Sequence, residues 1–366
     1  MRKGLHALRK GHPKSLRMLI WLYSQLLFRW EQQGGDIFRD RRGIIILLYH
    51  DVCPMDCWSF RLSPRMSVTP NNFRQQIEWM RRYFEFIDLD TAIVRISRGE
   101  ASGCRAAVVS SDDGWLGFHK NAVRFLCELH IPAVVYVASC VLEHPTPWYV
   151  RWHWLLNQAG SCRAWLAAKL GLPPDTSADT LLLAMTQYDL RFVESLWDEV
   201  QQGFGGNPLD LPATTDEGYV QVEHLRERTP LLTVGAHTMH HVCLPLLSEE
   251  RMREELVVAK RRLQDIMQSA VDHFAYPYGA YNKKVVEALS EAGYRSAATT
   301  LFGWNTNGQN LFHLRRVIMS EWSTTDHRGR FSDSMLWCTL TGRWERFKRF
   351  LRRHSLSFRC NGRRKM

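Results

Sequence analysis

The 366-residue chain contains no apolar run long enough to cross a bilayer, no paired C-x-x-C, no internal repeat and no long low-complexity tract. The first absence argues against a membrane-spanning helix, which needs about 20 consecutive apolar residues. The second argues against a two-pair zinc site and leaves nine scattered cysteines, an odd number, which read as reduced thiols in a cytoplasmic protein. Cys53 and Cys57 are close enough in sequence to share a metal, but no second pair accompanies them, so they read as incidental thiols. Without repeats or biased tracts, what remains is ordinary globular composition and enough length for one barrel-sized domain or two smaller ones.

Acid is what the two ends lack. Residues 1–30 hold seven Lys or Arg and no Asp or Glu, and residues 341–366 hold ten against Glu345 alone, so the net +11 is concentrated in the tails and the middle of the chain is net negative. A nucleic-acid-binding enzyme would carry its basic surface around its site, so no nucleic-acid partner is expected. Met18-Leu19-Ile20-Trp21-Leu22-Tyr23, with Leu26-Leu27-Phe28 and Trp30, is apolar and aromatic between Arg17 and Arg29. Ser24 and Gln25 interrupt it and no small-residue cleavage site follows at Arg29-Trp30-Glu31, so it reads neither as a span nor as a cleaved signal. At the other end Trp344, Phe347, Phe350 and Leu351 recur at helical spacing among Arg343, Arg346, Lys348, Arg349, Arg352 and Arg353. Such basic amphipathic segments suit an anionic membrane surface, here the inner face of the cytoplasmic membrane. They suit equally a helix that docks its aromatic stripe on the domain and leaves its arginines solvated.

Between the tails, strand and helix alternate. Gly43-Ile44-Ile45-Ile46-Leu47-Leu48-Tyr49-His50 is a continuous apolar run of the kind a buried parallel strand shows. Thr69-Pro70-Asn71 predicts the start of a helix through Phe73, Ile77 and Met80, and Phe86-Ile87-Asp88-Leu89 predicts the next strand. The strand Ala106 to Ser111, a helix through Val123, Phe125, Leu126 and Leu129, and the strand Ala133 to Val137 follow. Residues 144–228 break the rhythm with tryptophan-rich helical text and a loop around Gly203 to Pro212. Alternation resumes with Leu231 to Ala236, a helix from Ser248, Phe274-Ala275-Tyr276-Pro277, a helix capped by Asn282, and strands at Ala297 to Thr300 and Leu314 to Met319. The predicted organisation is a basic, aromatic N-terminal segment over 1–40, a catalytic domain over 41–320 with an insertion at about 144–228, and a basic tail over 321–366. Repeated strand-helix units with polar residues at strand C-termini imply a parallel α/β barrel or sheet with its site at that end.

Two of those strand ends carry chemistry. Asp112 and Asp113 follow an apolar run, and successive strand residues point to opposite faces, so only a bend at Asp112-Asp113-Gly114 lets both carboxylates serve one site. His237 ends a second strand, and His241 is four residues on, a spacing that on one helical turn puts both rings on one side. An acid and two imidazoles are an open-site ligand set for a divalent metal, zinc fitting best, with cobalt, nickel or iron able to take its place. A metal brings the pKa of its water to about 7, and a free carboxylate beside it takes the remaining proton as water attacks a carbonyl.

With these residues in place, the chain resembles the polysaccharide deacetylases with the NodB-homology domain, carbohydrate esterase family 4, from about Ile44 to Ile318. The motifs are Ser110-Ser111-Asp112-Asp113-Gly114, His237-Thr238-Met239-His240-His241 and Tyr276-Pro277-Tyr278-Gly279. The resemblance implies a distorted, incomplete (β/α) barrel that removes an N-acetyl group from an amino sugar, or less often an O-acetyl group; with the basic amphipathic tails, the expected substrate is an amino-sugar glycan or lipid-linked sugar precursor. It implies Asp112 as general base and Asp113, His237 and His241 as metal ligands, with His241 favoured over its neighbour His240 by the four-residue spacing. The backbone N–H of Tyr278 would help hold the oxyanion, and Pro277, Tyr278 and Trp115 would face the substrate. Two departures stand out. The family's arginine two residues before the proline of the third motif is Ala275 here, and Arg315 and Arg316 are the candidates to replace it. The late leaving-group histidine is not recognisable, and His50, at the end of the first strand in Leu48-Tyr49-His50-Asp51, is the candidate general acid. These departures are the only support for the alternative, a catalytically silent glycan-binding or scaffold protein of a polysaccharide biosynthesis complex.

Overall fold

The structure, a computed structural model, describes residues 14–55, 66–143, 147–158, 160–203, 218–227 and 229–344. Eight parallel strands form one sheet: β1 (Gly43–Tyr49), β4 (Glu85–Phe86), β5 (Arg105–Ser111), β6 (Ala133–Val137), β7 (Leu232–Ala236), β8 (His273–Ala275), β9 (Ser296–Phe302) and β10 (Leu314–Ile318). β2 (Asp51–Val52) and β3 (Ser67–Val68) pair separately. The order β1-β10-β9-β8-β7-β6-β5 closes through full-length pairing of β1 with β5, from Gly43 opposite Arg105 to Tyr49 opposite Ser111. The result is a closed seven-stranded parallel barrel with the short β4 added outside the ring on β5, in keeping with the expected (β/α) barrel lacking its eighth strand.

Strand alternation sorts the side chains. Ile44, Ile46, Ala106, Val108, Val134, Tyr136, Ala275, Ala298 and Leu314 form one buried cluster inside the barrel, joined by Ile93 and Ile96 of α3 (Leu89–Ser97). Ile45, Leu47 and Tyr49 point the other way, to Phe73 and Ile77 of α2 (Pro70–Met80). Tyr49 donates from its hydroxyl to Gln76 and meets Phe73 edge-on at 5.0 Å. Thr69 caps α2 ahead of Pro70, whose missing N–H is harmless in the first turn. Phe86 to Leu89 does not form the expected strand: pairing stops at Phe86, and the Asp88 carboxylate accepts the Thr91 N–H and starts α3. The helix after β5 opens with a π-helical turn over 118–123 before α4 (Arg124–Glu128).

Between β6 and β7 lie α5 (Trp148–Gln158), α6 (Gly160–Lys169), α7 (Ala178–Met185) and α8 (Leu190–Gly203), packed through Trp152, Leu181, Met185 and Trp197, followed by α9 (Val222–Arg226). Most of the loop expected after Gly203 lies outside the described residues. α10 (Glu249–Met267) and α11 (Lys283–Glu291) are capped by Ser248 and Asn282. After β10 come α12 (Glu321–Thr324) and α13 (Asp333–Thr341), whose Leu336, Trp337 and Leu340 are fully buried. The boundary expected at 320 therefore cuts through packed structure. Burying three such side chains stabilises by roughly 1.5–3 kcal/mol each, so 321–344 is part of the fold. α13 packs on α1 (Lys14–Gln32). Phe347, Phe350 and Leu351 lie outside the described residues. No helix among the described residues is long and apolar enough to cross a membrane, and Cys53 is buried.

Candidate metal and catalytic site

The barrel-inward register carries functional side chains to the C-terminal end. On β1, Ile44 and Ile46 lead to His50; on β5, Ala106 and Val108 lead to Asp112; on β10, Leu314 is followed by Arg316. Gly235 keeps β7 close to Tyr136, whose ring would stand 2.5 Å from any Cβ there, and His237 follows two residues later. Ser110 donates to the Leu47 carbonyl (2.6 Å) and Ser111 to that of His50 (2.8 Å), locking the ends of β1 and β5 together.

The bend expected after Asp112 is present: Asp113 and Gly114 have φ of 71° and 80°. This left-handed step turns the Asp113 carboxylate toward the histidines. Asp113 Oδ1 lies 3.2 Å from His237 Nε2 and 3.3 Å from His241 Nε2, and the three side chains offer ligand atoms within 4.8 Å of one another. His237 donates from Nδ1 to the Ala275 carbonyl at 2.7 Å, leaving Nε2 as the lone-pair side. The histidines do not share the expected helical turn. Thr238 and His241 have φ of 62° and 55°, and this doubled-back loop, not helical periodicity, brings the rings to centroids 5.0 Å apart.

Glu255, buried on α10, holds that loop. Its Oε2 accepts the Met239 and His240 N–H groups (3.0 and 2.9 Å), and its Oε1 meets His240 Nδ1 at 2.7 Å. His240 is thereby engaged outside the cluster and His241 is left to it. Tyr149 of α5 stacks on His241 at 4.5 Å, and Tyr278 meets the same ring edge-on at 4.9 Å. Trp115 is buried, with its ring stacked on Tyr219 at 4.4 Å and its Nε1–H donated to Asp113 Oδ2 at 3.1 Å, so it braces the carboxylate instead of facing outward. Pro277 is buried too. Tyr278 is 44% exposed and left-handed, φ 60°, and Gly279 beside it packs too tightly on Thr300 for any side chain.

Asp112 is bound by Arg316. Two charge-assisted bonds, Nη1 to Oδ1 at 2.6 Å and Nη2 to Oδ2 at 2.7 Å, form a bidentate pair, and Arg316 Nε donates to the Thr299 carbonyl at 2.8 Å. Arg316 is fully buried and Arg315 exposed, because Arg316 shares the inward register of Leu314; Ala275, fully buried beside them, leaves the space. Burial by itself raises the Asp112 carboxyl, but Arg316 and His237 outweigh it and hold the group below the ordinary carboxylate range. Burial likewise raises Asp113, and His241 and His237 bring it well below that range. His50 lies near both acids; burial lowers its imidazole more than their charges raise it, and its Nδ1 is buried with no partner among the described residues. Sequence reasoning missed Glu255, Tyr149 and Tyr219. None sits in a motif, and only tertiary packing brings them here.

The donor set suits a divalent cation: two imidazole nitrogens and a carboxylate, all buried or nearly so, with Nε2 of His237 freed by its Nδ1 bond. Comparison with known proteins agrees with this picture. The model of the polysaccharide deacetylase family matches residues 215–297, which hold both histidines and the Tyr276–Gly279 motif. YxkH of Bacillus subtilis (strain 168), a protein named for that family, is 25% identical over 104 residues, 28% of this chain and 37% of YxkH, so well under two thirds of that relative is spanned. Among solved structures, IcaB from Ammonifex degensii is similar with a TM-score of 0.52 at 17% identity, covering 77% of this chain and 94% of IcaB. The Streptococcus pyogenes deacetylase PplD, solved in complex with acetate, gives 0.51 at 17% identity, with 76% and 92% covered. BC0361, a polysaccharide deacetylase from Bacillus cereus, gives 0.50 at 18%, with 80% and 69% covered. At these identities the structures speak to the fold: the (β/α) barrel expected from the motifs is borne out, and the resemblance to the polysaccharide deacetylases is matched over residues 215–297.

Proposed function

With the polysaccharide deacetylase resemblance borne out, we propose that the chain is a metal-dependent hydrolase that removes N-acetyl groups from an amino-sugar glycan or a lipid-linked sugar precursor. The observation that carries this reading is the convergence of Asp113, His237 and His241 beside a second buried acid, Asp112, paired with Arg316. Asp113, His237 and His241 would hold the cation, zinc being the best match to two nitrogens and an oxygen. Such an ion supplies Lewis acidity, lowering the pKa of water and drawing charge from an acyl oxygen.

The protein's own groups divide the remaining work. Asp112 stays ionised at neutral pH, and each of its oxygens keeps a lone pair beyond the one used by Arg316, so it can accept the proton of the attacking water. Arg316 fixes the plane of that carboxylate. The Tyr278 N–H would stabilise the oxyanion, with the left-handed turn at Tyr278 setting the peptide's orientation. His50 would deliver a proton to the leaving amine. Its support is its place at the end of β1, near both acids. Tyr278, the exposed aromatic of the site, would contact the sugar over Pro277, and Trp115 would act through Asp113.

The test is acetate release from a panel of N-acetylated oligosaccharides and lipid-linked sugars, with zinc-loaded wild type against Asp112→Asn and His237→Ala. Release abolished by both substitutions is expected. Sugar binding without release from any substrate, in folded zinc-loaded protein, would overturn the hydrolase reading in favour of a glycan-binding protein.

A further inference from the structure

α1 docks on the barrel by one face and leaves the other bare. Ile20, Ser24, Phe28 and Glu31 turn inward at the spacing of one helical stripe. Leu19, Leu22, Leu26 and Trp30 recur on the opposite side and are 59%, 43%, 68% and 59% exposed. Single exposed apolar residues are ordinary on a protein surface, but four large ones in register on one helix form a patch that marks an interaction site. The helix beneath is firmly held. Arg17 donates to Thr325 and to the Asp326 carbonyl, both at 3.1 Å, Gln25 donates to Ser334 at 2.8 Å, and Arg343 reaches Glu31 at 2.6 Å. It is not apolar enough to span a membrane.

Charge selects the occupant. The seven basic residues of 1–30 and the ten of 341–366 face a single acid, Glu345, in sequence. Both segments join the fold at this helix, since Lys14 begins α1 and Arg343 lies against it. A second copy docking here would bring like charge against like charge, whereas an anionic bilayer offers the opposite sign. An apolar stripe accompanied by lysine and arginine is what a helix lying in the headgroup region requires. We infer that α1 seats the protein on an anionic membrane surface through Leu19, Leu22, Leu26 and Trp30, the net positive charge of the flanking sequence matching the headgroups. The Arg17 end of α1 touches Thr325 and Asp326, which follow β10 at the strand C-terminal end where the site lies, while its Gln32 end leads to the start of β1, so a helix lying along the membrane keeps the site-bearing end of the barrel within reach of the surface. This rests on the deacetylase reading and deepens it: the amino sugar would be one carried on a membrane lipid.

The test uses the full chain and vesicles of one part phosphatidylglycerol to two parts phosphatidylcholine, with sedimentation reporting binding. Wild type should bind these vesicles more tightly than pure phosphatidylcholine. The L19Q/L22Q/L26Q variant should bind them at least about tenfold more weakly, since each leucine loses several buried methylene equivalents. Acetate release from a soluble N-acetylated oligosaccharide should be unchanged in the variant, which also shows that it folds. Equal binding by variant and wild type would overturn the inference, as would wild type that ignores vesicles or forms a dimer that the variant cannot. Absence of acetate release from every form, with vesicle binding intact, would overturn the reaction and leave the surface standing.

Discussion

Replacing Arg316 by methionine should destabilise the fold and disable the site together. The substitution removes the two bonds to Asp112, at 2.6 and 2.7 Å, and the bond to Thr299, at 2.8 Å, and leaves a carboxylate that is 4% exposed without its guanidinium partner. Two unit charges about 4 Å apart attract by about 4 kcal/mol at an effective dielectric near 20. This agrees with the roughly 3–5 kcal/mol lost when one partner of a buried pair is removed. At about 2 °C per kcal/mol for a chain of this size, the metal-free protein should lose about 6–10 °C in Tm. Acetate release should fall about a hundredfold or more, because the base loses the group that fixes its plane. Asp112→Asn strands the guanidinium and should cost a similar amount of stability. The double variant, with neither charge, should be more stable than the sum of the two losses by about 2 kcal/mol. Thermal unfolding of the three variants after chelation measures this directly. A Tm for Arg316→Met within about 1 °C of wild type, or strictly additive losses, would refute the coupled pair.

Three further outcomes follow from the same geometry. His237→Ala should weaken zinc binding at least about a hundredfold in competition with a chromophoric chelator, and prolonged chelation of wild type should abolish acetate release until zinc is returned; full activity after chelation would remove the metal from the reaction. Glu255→Gln loosens the loop that presents His241 and should lower zinc affinity about 10- to 100-fold, the usual range for a group that orients a ligand; wild-type affinity would show that the loop holds itself. Asp112 is held below its ordinary range when folded, so its pairing contributes stability in full above about pH 4 and loses it as pH falls through the lowered folded value. Wild type should therefore lose more stability than Arg316→Met over that acid range in chelated samples, and parallel curves would contradict the assignment.

The candidate ligand set and the general-base candidate were legible because motifs are local. Asp112-Asp113-Gly114 announces a bend, and the apolar runs ending in His50, Asp112 and His237 announce parallel strands that deliver polar groups at one end. The choice between Arg315 and Arg316 stayed open in the sequence, because which parity of the Leu314 strand faces the barrel is set by the fold. What local pattern could not supply is anything set by distance in the chain. His237 and His241 converge through two left-handed residues held by a glutamate from α10, and no helical spacing encodes that. Trp115 reads as an exposed aromatic beside the site until Tyr219 is seen stacked on it. Residues 321–344 read as tail until Trp337 is found buried against α1. For this protein, sequence alone determined which groups could do chemistry and at which end of the strands they stand, because alternation and chain bends are properties of neighbouring residues. Tertiary structure decided which guanidinium meets Asp112, which imidazole joins Asp113 and His237, and which face of α1 stays bare, because burial and charge pairing depend on residues hundreds of positions apart.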